Sequence, residues 1–184
     1  MYKICKAKVE DIPSVFNFTN NLVQQHEGME QYFLTSKESM LDAFKNNYFE
    51  CLILFEEDSE IKKAVGYILY TEEYSFLHGH GYYVDDFYVS PELRGKGLGR
   101  QLMNELFQIA AQNKAQYLKL VFQITVPGLE KMYLNFGFDN ISTGTHMFSL
   151  FGRQKLDQMI SEMKPNDDCE EMHFYMKKQA KGVS

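Results

Sequence analysis

Two adjacent carboxylates, Asp85 and Asp86, lie inside the largely apolar run from Tyr82 to Ser90. A glycine-rich stretch follows, Arg94-Gly95-Lys96-Gly97-Leu98-Gly99-Arg100. Carboxylates so placed can hold a cation and take up a proton. The glycines suit an anion. Glycine lets the backbone adopt angles closed to other residues and approach a ligand closely. Ahead of a helix, successive free N–H groups then converge on one concavity at a positive helix end, which suits a pyrophosphate. Arg94, Lys96 and Arg100 add charge around it. The spacing sets this loop apart from two familiar ones. It lacks the G-x-x-x-x-G-K-S/T of an NTPase phosphate loop, and it reads R-G-x-G-x-G rather than the G-x-G-x-x-G of a dinucleotide site.

The elements that must position these residues are read from periodicity. Tyr2 to Ala7 reads as a strand. Asp11 is placed to cap a helix carrying Ile12, Val15, Phe16, Thr19, Leu22 and Val23 at helical spacing, ended by Gly28. Thr35-Ser36-Lys37-Glu38 fits a capping box before Met40, Leu41 and Phe44. Tyr48 to Glu56 and Ala64 to Thr71 form an antiparallel hairpin about the charged turn at Glu56 to Glu60. Glu72 to Gly81 reads as a looser connection. Tyr82 to Ser90 is a strand, Leu98 to Gln112 a helix, and Ala115 to Ile124 a largely apolar strand. This strand–helix–strand unit implies a parallel pair with a right-handed crossover. A short helix, Leu129 to Asn135, closes at Gly137. Residues 138–143 and 146–151 can pair as a hairpin, 155–163 looks helical, and 171–177 reads as one more strand or a tail.

The net charge of −6 argues against sequence-independent nucleic-acid binding, which needs a basic surface. Cys5, Cys51 and Cys169 are widely spaced and odd in number, which fits reduced thiols in the cytoplasm. Cys51 reads as core. The N-terminus shows no signal-peptide run and no stretch is long enough to span a bilayer, so neither secretion nor membrane insertion is expected. His78-Gly79-His80-Gly81 reads as a turn rather than a ligand set, and no metal is expected.

The glycine loop, in its strand-to-helix setting, resembles the coenzyme A loop R/Q-x-x-G-x-G/A of the GCN5-related N-acetyltransferase (GNAT) superfamily. Tyr133-Leu134-Asn135-Phe136-Gly137-Phe138 matches that superfamily's Y-x-x-x-G-F after the last core helix. The element order matches along nearly the whole chain. The resemblance implies an α/β fold with a mixed, mostly antiparallel sheet and one parallel strand pair around the coenzyme A site. The GNAT domain would be residues 1–163, with residues 164–184 a C-terminal extension.

A narrower resemblance is to the diamine (spermidine/spermine) and thialysine N-acetyltransferase branch. It rests on Leu22 to Phe44, on Tyr83-Val84-Asp85-Asp86-Phe87-Tyr88-Val89 against Y-L-E-D-F-F-V, and on Ser149-Leu150-Phe151 against R-L-F. It implies roles by position. Tyr133 would be the general acid, since a phenol with a pKa of about 10 can donate to a thiolate at about 8.5. Asp85 would hold the acceptor cation and take its proton through water, because a carboxylate near pKa ~4 is a poor direct base for an ammonium near ~10. Asp86 matches a second acidic position, and a backbone bulge near Phe87 would meet the oxyanion. Acetyl-CoA would lie on Phe87, Tyr88 and Val89, on Arg94, Gly95, Lys96, Gly97, Leu98, Gly99 and Arg100, and opposite Leu120 and Val121.

The acceptor side would use His26, Glu27, Asp85 and Asp86, with Glu30, Tyr82 and Tyr83 nearby. The sequence departs from the branch at three places. Aspartate replaces glutamate at position 85, His26 stands where the helix-end glutamate belongs with Glu27 one residue later, and Ile124-Thr125-Val126-Pro127 lacks the asparagine that many superfamily members carry before the last helix, so that one cofactor contact is either missing or replaced by Thr125. The expected activity is acetyl transfer from acetyl-CoA to a small amine, a polyamine, diamine or lysine-like amino acid, in a ternary complex. A protein lysine or N-terminus as acceptor, and a silent acyl-CoA-binding module, are the other readings. The family default is a homodimer.

Overall fold

The computed structural model describes residues 1–25, 33–58, 62–122 and 127–141, all within the unit Met1–Thr145. The expectations for Gly28, Thr125, the 155–163 helix, the 171–177 segment and the 163/164 boundary lie outside the described residues. So does the 138–143/146–151 hairpin, apart from residues 138–141.

Five strands form one sheet in chain order: β1 (Tyr2–Lys6), β2 (Glu50–Glu57), β3 (Lys62–Ser75), β4 (Gly79–Val89) and β5 (Tyr117–Leu120). The first four pair antiparallel, and β4 and β5 pair parallel. The helices are α1 (Ile12–Gln25), α2 (Lys37–Lys45), α3 (Leu98–Gln112) and α4 (Leu129–Phe136). The expected α/β architecture and its parallel pair are both present.

Both faces of the sheet are covered, which explains why β2 and the middle of β3 read as unbroken apolar runs. Alternate side chains of a strand face opposite ways. Leu52, Leu54, Ile68 and Tyr70 pack with Leu102, Met103 and Leu106 of α3. Their neighbours Cys51, Ile53, Phe55, Tyr67 and Leu69 pack with Ile12, Val15 and Met40 of α1 and α2. Cys51 is buried core, and burial raises its thiol well above the ordinary range. α3 occupies the residues its apolar stripe predicts.

Three local expectations change. Residues 72–81 are not a loose connection. β3 runs on to Ser75, β4 begins at Gly79, and Ser75 pairs with Gly79 across a tight turn. The charged and aromatic residues Glu72, Glu73 and Tyr74 mask the strand, because that end of the sheet is exposed. Asp11 closes the short 3-10 turn before α1 instead of capping the helix: its Oδ2 accepts the Lys8 N–H at 2.8 Å. The cap of α2 is Ser36, one residue later than the box predicts, with its Oγ accepting from Ser39 N at 3.1 Å.

Candidate active site

The site is organised by a bulge in β4. Leu69 pairs with Asp86 and the next residue, Tyr70, pairs with Val84, so Asp85 has no opposite number on β3. An inserted residue bends its strand and shifts side-chain alternation by one. Tyr82 and Val84 face α3, and beyond the bulge Phe87 and Val89 face α3 as well. Asp86 and Tyr88 face the α1 layer instead. The bulge expected near Phe87 therefore sits at Asp85. The strict alternation that would put Asp85 on one face with Tyr83 and Phe87 is broken there.

The same bulge ends the parallel ladder. β4 and β5 pair from Gly81↔Tyr117 to Val84↔Leu120 and no further. Past that point Asp85 to Val89 leave their β5-side backbone groups unpaired by the sheet. Val121 beyond β5 is half exposed. A wedge thus opens between the two strands, where an extended chain can take the place of a strand.

The glycine loop lies at the end of this wedge. Gly95 and Gly97 both adopt φ of +78°, the left-handed region, and a Cβ at either would meet nothing within 4 Å. Backbone conformation alone calls for glycine there. Gly97 precedes α3 with no side-chain cap. Gln101 donates to the Gly97 carbonyl at 3.1 Å, so the amides of Leu98, Gly99 and Arg100 precede the first intrahelical bond. Leu98 contributes this amide only; its side chain is core. Gly99 serves another purpose, since a Cβ there would lie 3.0 Å from Phe87 Cζ. It brings the helix start against the bulged strand.

The three basic residues separate in role. Arg94 folds back, and its Nε donates to the Val89 carbonyl at 3.0 Å. Arg100 reaches α4: its Nη2 donates to Asn135 O at 2.7 Å and its guanidinium lies 5.0 Å from the Phe136 ring centre. It neutralises a free carbonyl at the negative end of that helix. Lys96 is exposed beside the loop amides.

Tyr133 is held by the Y-x-x-x-G-F segment through a Schellman cap. Phe138 N donates to Tyr133 O at 3.1 Å and Gly137 N to Leu134 O at 3.0 Å. Gly137 takes φ of +98°, and Phe138 then packs its ring 5.9 Å from that of Tyr133. Phe122 and Phe136 flank the same ring at 5.3 and 6.3 Å, and Phe136 meets Phe87 of the bulged strand at 6.3 Å. Burial, then the charge of Asp86, pushes the Tyr133 phenol up to about 12. It stays protonated across the neutral range.

Asp86 accepts on Oδ2 from Tyr67 OH at 2.9 Å and from Thr19 Oγ1 at 3.1 Å, and these two hydroxyls lie 2.8 Å apart. Burial raises its pKa and the two hydroxyls oppose the rise. Asp85 also lies above the ordinary carboxylate range, from desolvation first and the Asp86 charge second. Sequence reasoning did not find Thr19 and Tyr67 as partners of Asp86. They stand 48 residues apart, and each reads as part of an apolar element. Tyr82 is not beside the acceptor: it is core, and its hydroxyl accepts from Asn113 Nδ2 at 2.8 Å. Tyr83 is half-buried next to Asp85 and Lys119. His26, Glu27 and Glu30 lie outside the described residues.

The raised pKa of Asp85 carries a linkage consequence. The native state binds this proton more tightly than the unfolded chain, so ionisation costs stability as pH rises from about 4 through the raised value. Asp85→Asn is expected to melt above the parent at pH 7, with the gap closing towards pH 4. Thermal melts at both pH values check this, and an equal gap at both would show that repulsion and desolvation at Asp85 are not its source.

A mixed sheet splayed at a bulge, with a glycine loop at the helix start beside it, is the architecture of an N-acyltransferase. A family model described as the acetyltransferase (GNAT) family matches residues 18–138. The chain belongs to that family and is by class an N-acetyltransferase. The human spermidine/spermine N(1)-acetyltransferase-like protein 1 is 27% identical over 167 residues, covering 88% of this chain and 24% of that protein's length. Bovine (Bos taurus) thialysine N-epsilon-acetyltransferase is 27% identical over 127 residues, covering 64% of this chain and 72% of the relative. Among solved structures, an integron cassette protein from the mobile metagenome of V. cholerae superposes with a TM-score of 0.67 at 22% identity, covering 86% of this chain and 97% of that one. The last likeness bears on the fold. Among the described residues no helix is long and apolar enough to cross a membrane, and no group of three or more His, Cys, Asp or Glu is placed to hold a metal ion.

Proposed function

We propose that this chain transfers acetyl from acetyl-CoA to the primary amine of a small cationic acceptor, by direct attack in a ternary complex. The observation that carries the reading is the bulge at Asp85. One backbone feature ends the β4–β5 ladder at Val84↔Leu120, opening a wedge for an extended carrier, and presents two carboxylates beside it. The loop amides of Leu98, Gly99 and Arg100 and the Lys96 ammonium fit a pyrophosphate at the wedge's end.

The roles follow from chemistry. Acetyl-CoA, when bound, supplies the thioester. The β5-side backbone groups that the sheet leaves free between Asp85 and Val89, other than the Val89 carbonyl held by Arg94, orient it, and an N–H of that segment meets the carbonyl oxygen as negative charge develops there. Asp85 and Asp86 hold the acceptor's ammonium and draw off a proton, leaving the neutral amine that attacks. Tyr133 donates to the departing sulfur. The resemblance to spermidine/spermine and thialysine acetyltransferases supports a polyamine, a diamine or a lysine-like amino acid.

The test is release of free thiol from acetyl-CoA with spermidine, with thialysine and with a lysine-containing peptide. Turnover with at least one small amine, and preference for it over the peptide, is expected. Turnover with the peptide alone would move the acceptor to proteins. Binding of coenzyme A with no turnover would indicate a silent acyl-CoA module.

A further inference from the structure

The triangle of Asp86 Oδ2, Tyr67 OH and Thr19 Oγ1 has three oxygen–oxygen edges of 2.8 to 3.1 Å. Each hydroxyl brings one proton. With Asp86 ionised, both hydroxyls donate to Oδ2, and the 2.8 Å edge between Thr19 and Tyr67 has no proton of its own. With Asp86 protonated on Oδ2, three protons meet three edges, and each oxygen donates once around a closed ring. The same heavy-atom positions serve both states. A partly buried, hydrogen-bonded carboxylate normally gains or loses a proton at the cost of broken partners. This one need not.

We propose that Thr19 and Tyr67 are positioning residues that make Asp86 the proton acceptor for the substrate ammonium, the three oxygens forming a ring that gains and releases one proton without moving. This rests on the N-acetyltransferase reading above and deepens it. The ammonium N–H bond breaks and an O–H bond forms on Asp86, so two opposite charges become two neutral groups. The amine then bonds to the acetyl carbon as the carbon–sulfur bond breaks. Tyr133 protonates the sulfur and is itself reprotonated by the second proton of the nitrogen. The Asp86 proton finally leaves to solvent. The net reaction releases one amide, one thiol and one proton.

The surroundings suit this role. Among the described residues the groups facing Asp86 are Asp85 and Tyr83 on β4, Tyr67 on β3, Cys51 on β2, Thr19 on α1 and Tyr133 on α4. The thiol and the three phenols are all pushed above their ordinary ranges and stay neutral at neutral pH. Among these, Asp85 alone brings a negative charge. Asp85 is more exposed and sits unpaired on the bulge, which fits it to hold the cation while its neighbour takes the proton.

The experiment joins two readouts on the full chain. Carbon-13 carboxyl NMR follows the titration of Asp86, assigned by Asp86→Asn. The pH dependence of kcat/KM for thiol release with spermidine follows its function. In Tyr67→Phe and in Thr19→Val the ionised carboxylate loses a donor, so the carboxyl titration and the acid limb of the rate profile are expected to move up together by about one pH unit. Thr19→Ser should restore both. If Tyr67→Phe fails to fold, Thr19→Val with its serine rescue decides alone. A lowered melting temperature with neither curve displaced would reduce both residues to packing and overturn the proposal. A displaced titration with an unmoved rate limb would leave the ring standing and overturn Asp86 as acceptor. Absence of thiol release by the parent with spermidine and with thialysine alike would sink the proposed function and the transfer step, while the NMR titration would still decide the ring.

Discussion

Tyr133→Phe is expected to lower kcat for thiol release by about 10²–10³-fold, the scale of a positioned general acid. That loss corresponds to about 3–4 kcal/mol of barrier. It should fall on kcat with KM little changed, because the hydroxyl acts on the departing sulfur rather than on either bound ground state. The ring itself stays. Phenylalanine retains the packing against Phe122, Phe136 and Phe138, and the Gly137 cap depends on backbone bonds. Among the described residues the Tyr133 hydroxyl makes no hydrogen bond, so the melting temperature should hardly move. Steady-state kinetics with a thiol reagent, run beside a thermal melt, separate the two effects. Unchanged thiol release in a folded variant would remove Tyr133 from the chemistry.

Gly97→Val is expected to cut coenzyme A affinity by roughly 10–100-fold, the loss of one or two hydrogen bonds to a charged group. The cause is conformation and not space. A Cβ at Gly97 meets nothing within 4 Å, but φ stands at +78°. Holding a side chain in that region costs about 1–2 kcal/mol, and a β-branched residue more. The loop has two responses. It keeps its shape and the chain loses that stability, or it relaxes to negative φ and turns the amides of Leu98, Gly99 and Arg100 away from a common centre. Gly99→Ala is the informative contrast. Its φ is ordinary, and its Cβ would press only on the end of the Phe87 ring. It should perturb packing against β4 and weaken coenzyme A binding less than Gly97→Val does. Calorimetric titration with coenzyme A checks both. Undiminished affinity in Gly97→Val would place the anion site elsewhere.

These two residues lie in the part of the molecule that was legible without coordinates. The loop, the helix behind it and the Y-x-x-x-G-F segment are each decided within a few residues of chain. Glycines adopt left-handed angles because nothing else there can do so cheaply. Leu98 to Gln112 forms a helix because its apolar stripe has helical spacing over its whole length. Gly137 and Phe138 hold Tyr133 through a local cap. Such short-range physics leaves its record in consecutive residue types.

The acidic half of the site was legible only as residue identity. That Asp85 and Asp86 stand side by side is plain from the chain. Which one is the more covered, and on which face, depends on a bulge set by pairing of β4 with β3, and strict alternation gives the wrong answer beyond Val84. Tyr82 falls to the core because it lies on the α3 side before that bulge. Residues 72–75 pair with 79–82 across the turn at 76–78 because β4 offers a ladder, although their charged and aromatic composition reads as a connection.

The sequence by itself determined the family, the glycine loop, the helix behind it and the tyrosine cap, since each follows from neighbouring residues. Only the tertiary structure decided the placement of the bulge, the opening of the wedge and the joining of Thr19, Tyr67 and Asp86. Those three residues come from α1, β3 and β4, with separations of 48, 19 and 67 positions. Their mutual geometry is set by how helix and strands pack, and no local spacing can record it.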